Sequence, residues 1–172
     1  MHLKNLQIVA ENIPVDKCPL YSYGGFIFFE RMIKMSTISE KRRKSREQSF
    51  IVLFEKSFNE EQSFDEIVEI AIESEVIEKD KFMNSILKSA EENLVDIDAE
   101  IEKNLKGWSK SRISKVSLAL LRMAIAEMKY MDDVPVGVSI NEAVEICKIY
   151  GSDEDKSFIN GVLGSVARGI EA

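Results

Sequence analysis

Between residues 36 and 170, apolar side chains recur every three or four positions, the spacing of helices that bury one face. Phe50, Leu53, Phe54 and Phe58 form such a stripe. Ser63-Phe64-Asp65-Glu66 reads as the start of a second helix, with Ile67, Ile70 and Ala71 turned inward. Phe82, Ile86, Leu87 and Ala90 mark a third, and Ile97, Ile101 and Leu105 a fourth, before Lys106-Gly107-Trp108-Ser109 interrupts the pattern. From 111 to 130 the apolar positions cover most of the circumference: Ile113, Val116, Leu118, Leu120, Leu121, Met123, Ala124, Ile125 and Met128. A helix that is apolar nearly all round belongs at the centre of a bundle.

The stops are equally legible. Asp132-Asp133-Val134-Pro135 breaks the central helix, because proline cannot donate to a helical ladder. Ser139-Ile140-Asn141-Glu142 has the spacing of a capping box, and Gly151 is placed to end the helix that carries Lys148 and Tyr150. Ser152-Asp153-Glu154-Asp155 opens the last helix with acids suited to the helix dipole, and Phe158, Ile159, Val162, Leu163 and Val166 supply its core stripe. Gly161 and Gly164 each cost about 1 kcal/mol relative to alanine, which predicts a close backbone approach there. No strand alternation follows residue 36, and the fold class is all-α.

The first helix carries the most unusual signal. Thr37 or Ser39 can cap it, with Glu40 three residues after Thr37, and Lys41-Arg42-Arg43-Lys44-Ser45-Arg46 would then occupy its opening turns. The positive end of a helix dipole favours acids there. At about 100° per residue the five cations point around nearly the whole helix, so this turn is expected to project into solvent. The bland reading is a solvated charge run. The chemical reading is a phosphate site, since helix amides and guanidinium groups both favour anions.

Residues 1–34 differ in character. They hold two of the three prolines, the only histidine (His2) and a Gly24-Gly25 pair beside Phe26-Ile27-Phe28-Phe29. Met35-Ser36-Thr37 reads like a natural chain start, so 1–34 is expected to be a poorly ordered extension of a domain spanning 35–172. The alternative is a short strand or hairpin at Phe26–Phe29.

Charge narrows the choices. The 172 residues carry a net charge of −7, so any contact with phosphate must come from a local patch. Cys18 and Cys147 form no CxxC pair, and reduced thiols in a cytoplasmic protein are the expectation. No apolar stretch approaches the roughly 20 residues that span a bilayer. Catalysis finds little support: His2 lies in the extension, no Ser/His/Asp set can be assembled, and no GxxxxGK[ST] loop or metal-ligand spacing is present. No catalytic residue, metal or cofactor is expected.

Three blocks together resemble the NusB family of transcription antitermination factors. They are Arg42-Arg43-Lys44-Ser45-Arg46-Glu47 leading to Leu53-Phe54; Leu121-Arg122-Met123-Ala124-Ile125-Ala126-Glu127-Met128 followed by Val134-Pro135 and Ile140-Asn141-Glu142-Ala143-Val144; and Lys156-Ser157-Phe158-Ile159-Asn160-Gly161-Val162-Leu163. The resemblance covers about residues 40–168. It implies a bundle of about seven helices in two subdomains that binds boxA-type single-stranded RNA of nascent ribosomal RNA transcripts jointly with ribosomal protein NusE. RNA polymerase and the other Nus factors are the further partners it implies, and both a monomer and a homodimer are open. Carried over residue by residue, Arg42, Arg43, Lys44 and Arg46 fall on the RNA-binding helix. Tyr150, Glu154, Lys156 and Phe158 fall on a second part of the RNA surface, and Phe54 near the NusE-facing side.

Each assignment has a plainer reading beside it. Phe158 fits the core stripe as well as an RNA contact, and Glu154 suits a helix start. Asn141, Glu142 and Asn160 read as structural, and Arg122 and Glu127 as a buried or half-buried polar network. Two rival functions remain in view. One is a protein–protein scaffold; the other is a detached amino-terminal module of an rRNA cytosine methyltransferase, against which the absence of a methyl-donor domain before Ala172 counts.

Overall fold

The computed structural model describes residues 25–59, 61–105 and 112–170, with side chains from residue 37 onward. Its helices are α1 (Gly25–Lys56), α2 (Phe64–Glu73), α3 (Lys81–Glu92), α4 (Leu94–Asn104), α5 (Lys115–Tyr130), α6 (Val136–Tyr150) and α7 (Asp153–Ile170). No strand occurs among the described residues, in agreement with the all-α expectation. None of the described helices is long and apolar enough to cross a membrane. Residues 42–172 form one compact unit and residues 1–41 another.

Within the larger unit, α5 is the central element and packs against α3, α4, α6 and α7. Every residue from Ser117 to Met128 except Arg122 is buried, as its all-round apolar pattern requires. Phe50 and Leu53 from α1, Ile67 from α2, Ile86 from α3, Ile97 and Ile101 from α4, Ile146 from α6, and Ile159 and Leu163 from α7 close around it in one apolar cluster. Arg122 leaves this core sideways and grips Asp98 of α4 with two parallel hydrogen bonds of 2.8 Å, a fork that fixes the α4–α5 register.

Helix starts follow the sequence in most places. Ser63 and Glu66 form the reciprocal capping box of α2, at 3.2 and 2.8 Å. Asp80 caps α3 through Met83 N, and Ser114 caps α5 through Ser117 N. Two starts differ from expectation. The chain is already helical from Gly25, so neither Thr37 nor Ser39 is a cap, and Phe26–Phe29 are helical rather than a strand. No proline lies between Gly25 and Lys56, and serine or threonine inside a helix costs only a few tenths of a kcal/mol, so these residues do not force a start. The basic run therefore sits inside α1 and not at the N-terminus of that helix.

The second difference is α6, which begins at Val136 after Pro135. Proline suits the edge of a helix, and this start leaves Ser139 and Glu142 inside the helix with no capping box. The expected close approach at the glycines is also absent: a methyl group on Gly161 would meet nothing within 4 Å, and one on Gly164 only the Arg168 side chain at 3.8 Å. Ile70, expected inward, is 51% exposed at the edge of a groove between α1 and α2. His2, Cys18, residues 1–24 and Lys106–Ser109 lie outside the described residues.

Candidate nucleic-acid interface

Three of the four basic side chains assigned to α1 reach solvent, each against a carboxylate from elsewhere in the chain. Arg42 meets Asp133 at 2.6 Å and lays its guanidinium over the Phe82 ring, 4.6 Å from the centroid. Arg43 lies 3.6 Å from Glu145 of α6, and Lys44 lies 2.9 Å from Glu78 in the α2–α3 connection. The Arg43 and Lys44 side chains are 50% and 58% exposed.

Arg46 corrects the expectation of a fully solvated turn. Its side chain is 3% exposed, and Nε donates to Glu127 Oε1 at 2.7 Å. Glu127 is itself buried in α5, and its other oxygen accepts from Ser139 Oγ at 2.6 Å. Glu142 Oε2 stands 3.9 Å from Arg46 Nη1, is buried and has no hydrogen-bond partner. A buried guanidinium is tolerable only when paired and hydrogen-bonded, and Glu127 supplies that pairing. The signal was in the spacing: Arg46 lies four residues before Phe50 and seven before Leu53, on the inward stripe of α1. Ser45 and Ser49 are buried on this side as well. Arg46 thus braces α1 against α5 and α6, while Arg42, Arg43 and Lys44 stay at the surface.

Tyr150 stands beside this surface. Its ring packs 5.0 Å from Phe50, and its hydroxyl donates to Glu47 Oε1 at 2.7 Å. The hydrogen bond to that carboxylate, with partial burial, pushes the Tyr150 hydroxyl above the usual phenol range. The side chain is held in place yet 43% exposed, which suits an aromatic face for stacking. Charge spacing along the first helix did not reveal Glu47 as the group that fixes it.

One residue beyond Tyr150, the chain turns at Gly151. A methyl group there would come 2.8 Å from Cys147 Sγ and 3.1 Å from Cys147 O, so glycine is demanded by space, with φ at an ordinary −113°. Cys147 is buried and unpaired, and burial raises its thiol pKa. The start of α7 is then pinned by Asp155. Its Oδ1 accepts from Ser114 Oγ at 2.7 Å and Ser117 Oγ at 2.6 Å; its Oδ2 accepts from Ser152 N at 3.0 Å and Ser152 Oγ at 2.7 Å. Partial burial works upward on this carboxyl, but the bonds from Ser117, Ser114 and Ser152 outweigh it and hold the pKa far below the usual range. Asp155 ties the first turn of α7 to the first turn of α5, a role visible in sequence only as the Ser152-x-x-Asp155 spacing.

Around that pin, Glu154 is exposed and Lys156 pairs with Asp153 at 2.8 Å, which raises the lysine pKa. Phe158 is half-buried: it packs on the core and lines a cleft of about 450 Å³ with Arg112, Ile113, Ser114 and Glu154. Its core packing agrees with the stripe reading, and its remaining surface faces the cleft. Asn160, read as structural, is exposed. Phe54 is half-buried at the other end of α1, its ring 5.8 Å from Phe50 and 5.1 Å from Phe58. Phe58 is 59% exposed under Lys115 Nζ, 5.4 Å from its centroid. Among the described residues, no group of His, Cys, Asp and Glu could hold a metal ion.

Comparison with known proteins identifies the family and the fold. The NusB family profile matches residues 43–168. A transcription antitermination protein NusB from Listeria monocytogenes is 43% identical over 127 residues, covering 74% of this chain and 96% of the relative. The NusB structure of T. maritima is 33% identical with a TM-score of 0.65, covering 74% of this chain and 90% of that one. A crystal structure of antitermination factors NusB and NusE in complex with dsRNA shares the fold at a TM-score of 0.67 and 24% identity, covering 74% of this chain and 96% of that one. The matched span takes in Arg43, Lys44 and Arg46 of α1, the central α5 and the Asp155-pinned start of α7, and on it the chain belongs to the NusB family: it is a transcription antitermination factor, not an enzyme.

Proposed function

We propose that this chain binds boxA-type single-stranded RNA of nascent ribosomal RNA transcripts together with ribosomal protein NusE, as part of the RNA polymerase antitermination complex with the other Nus factors. The observation that carries the reading is the juxtaposition of exposed Arg42, Arg43 and Lys44 with the anchored, half-exposed ring of Tyr150. Single-stranded RNA is held by cations along its backbone and by aromatic faces under its bases, and this surface offers both. Lys156, Phe158 and Glu154 extend the path onto α7; Arg46 supports it from beneath through Glu127. The half-exposed edge formed by Phe54 and Phe58 is the side proposed for NusE. The RNA-binding body lies within residues 35–172, preceded by the 1–34 extension, and it works in the cytoplasm. A homodimer that covered the basic segment would compete with RNA.

Fluorescence anisotropy of a labelled boxA RNA, with and without NusE and against a scrambled control, tests this. Selective binding that tightens with NusE is expected. Four phosphate contacts, from Arg42, Arg43, Lys44 and Lys156, give a log–log salt slope near −3 at about −0.7 per contact. Equal or absent binding to both RNAs, with NusE present, would reduce the protein to a scaffold that keeps only the fold.

A further inference from the structure

Arg42, Arg43 and Lys44 are each matched by one carboxylate, and the three carboxylates come from three different elements. Glu78 belongs to the α2–α3 connection, Asp133 to the α5–α6 connection and Glu145 to α6. These are not the i,i+3 and i,i+4 pairs that any charged helix makes along its own surface. The fold delivers three acids to one turn of α1, the turn proposed above to meet phosphate.

We infer that Glu78, Asp133 and Glu145 occupy the cations as resident phosphate substitutes, an autoinhibitory offset that every RNA must overcome and that RNA without additional base contacts does not. The inference rests on the RNA-binding reading. An incoming phosphate must displace a carboxylate already at 2.6, 3.6 or 2.9 Å, and then share the surface with the negative charge it has displaced. RNA with only phosphates to offer exchanges one anion for another and gains little. RNA that also stacks a base on Tyr150 or Phe158 gains contacts that the carboxylates cannot supply. The exchange is easiest at Glu78 and Asp133, whose side chains are 77% and 60% accessible, since exposed pairs are individually weak; Glu145 is 30% accessible and keeps Lys148 as a second partner when displaced. The net charge of −7 acts in the same direction over longer range.

The test compares Glu78→Gln/Asp133→Asn/Glu145→Gln with a charge-matched control, Glu69→Gln/Glu91→Gln/Asp96→Asn, whose exposed carboxylates make no ion pair with the basic segment. Both triple variants change the net charge by +3, and circular dichroism establishes that both are folded. Affinities for labelled boxA RNA and for a scrambled RNA are measured by anisotropy at one salt concentration. The first variant is expected to bind both RNAs at least about eightfold more tightly than the control does, from about twofold or more for each of the three weak pairs. The ratio of the two affinities is expected to stay close to the wild-type ratio, because the same three displacements are removed for both RNAs. Affinities equal to the control's on both RNAs would overturn the inference while the RNA-binding reading stands. If the wild-type protein fails to prefer boxA, that reading falls and takes this inference with it.

Discussion

Replacing Arg46 by methionine isolates the buried network under the basic surface. In the folded protein one guanidinium serves two carboxylates, Glu127 at 2.7 Å and Glu142 at 3.9 Å, so the cluster carries a net charge of −1. Arg46→Met leaves −2 in the same space, with Ser139 Oγ as the remaining donor to Glu127. Glu127→Gln instead leaves Arg46 with Glu142 and a net charge of zero. The gross Coulomb energy of a 3.9 Å contact is about 4 kcal/mol at an effective dielectric of about 20, so the retained Glu142 pairing softens the second variant considerably. Removing one partner of a buried pair typically costs about 3–5 kcal/mol, which is the expectation for Arg46→Met; Glu127→Gln should lose about 1–2 kcal/mol. Urea unfolding followed by circular dichroism measures both, with an unchanged m-value indicating a pure stability effect. In melting temperature the methionine variant should fall by roughly 10 °C or more, at about 3 °C per kcal/mol for a unit of this size. The order of the two losses is the decisive result. If Glu127→Gln proves as damaging as Arg46→Met, or both stay under about 1 kcal/mol, the charge count across this network is not what holds α1 in place.

Other consequences are simpler to read. Asp155→Asn should cost about 1–2 kcal/mol at neutral pH, discounted for partial exposure, because four donors lose a charged acceptor. The Asp155 carboxyl is depressed in the fold, so its stabilisation is complete above the unfolded carboxyl pKa near 4 and lost as pH falls through the folded value; the gap between wild type and variant in urea titrations should narrow below pH 4, and a constant gap would remove Asp155 as the pin. Gly161→Ala should raise stability by about 0.5–1 kcal/mol in thermal melts, since the new methyl group meets nothing within 4 Å; a loss would point to a contact not accounted for. Gly151→Ala should destabilise by about 1 kcal/mol or more through the 2.8 Å clash with Cys147 Sγ, and less in a Cys147→Ala background; an equal loss in both backgrounds would rule out that clash as the cause. Arg42→Glu and Lys44→Glu should each weaken RNA binding and flatten the salt slope by about 0.7, and an unchanged slope would move the phosphate path elsewhere.

The helices and their stops were readable because they depend on neighbours in sequence. The 3.6-residue period identified α2 to α4 and α7, and the all-round apolar run from 111 to 130 identified α5 as central, since each reflects which faces must leave water. Ser63–Glu66 and Ser152–Asp155 were legible for the same reason: a cap is satisfied within one turn. Ser139–Glu142 had equally good spacing and still was not a cap. Ser139 found a stronger long-range partner in buried Glu127, and Pro135 set the start of α6. Thr37 shows the complementary error, a permissive cap residue that a continuing helix simply passes through.

The basic segment divides along the same line. Its composition, its position ahead of the Phe50–Leu53 stripe and its kinship with the NusB family belong to the sequence alone. Which of its cations remain at the surface was decided by tertiary structure. Arg46 turns inward because Glu127, 81 residues away, offers a carboxylate where Arg46 enters the core. Arg42 and Lys44 turn outward to Asp133 and Glu78, acids that no local pattern connects to them. Local sequence determines helices because their hydrogen bonds close within four residues. It cannot determine which charge a buried or surface cation will meet, because that partner is chosen when distant segments are brought within a few ångströms.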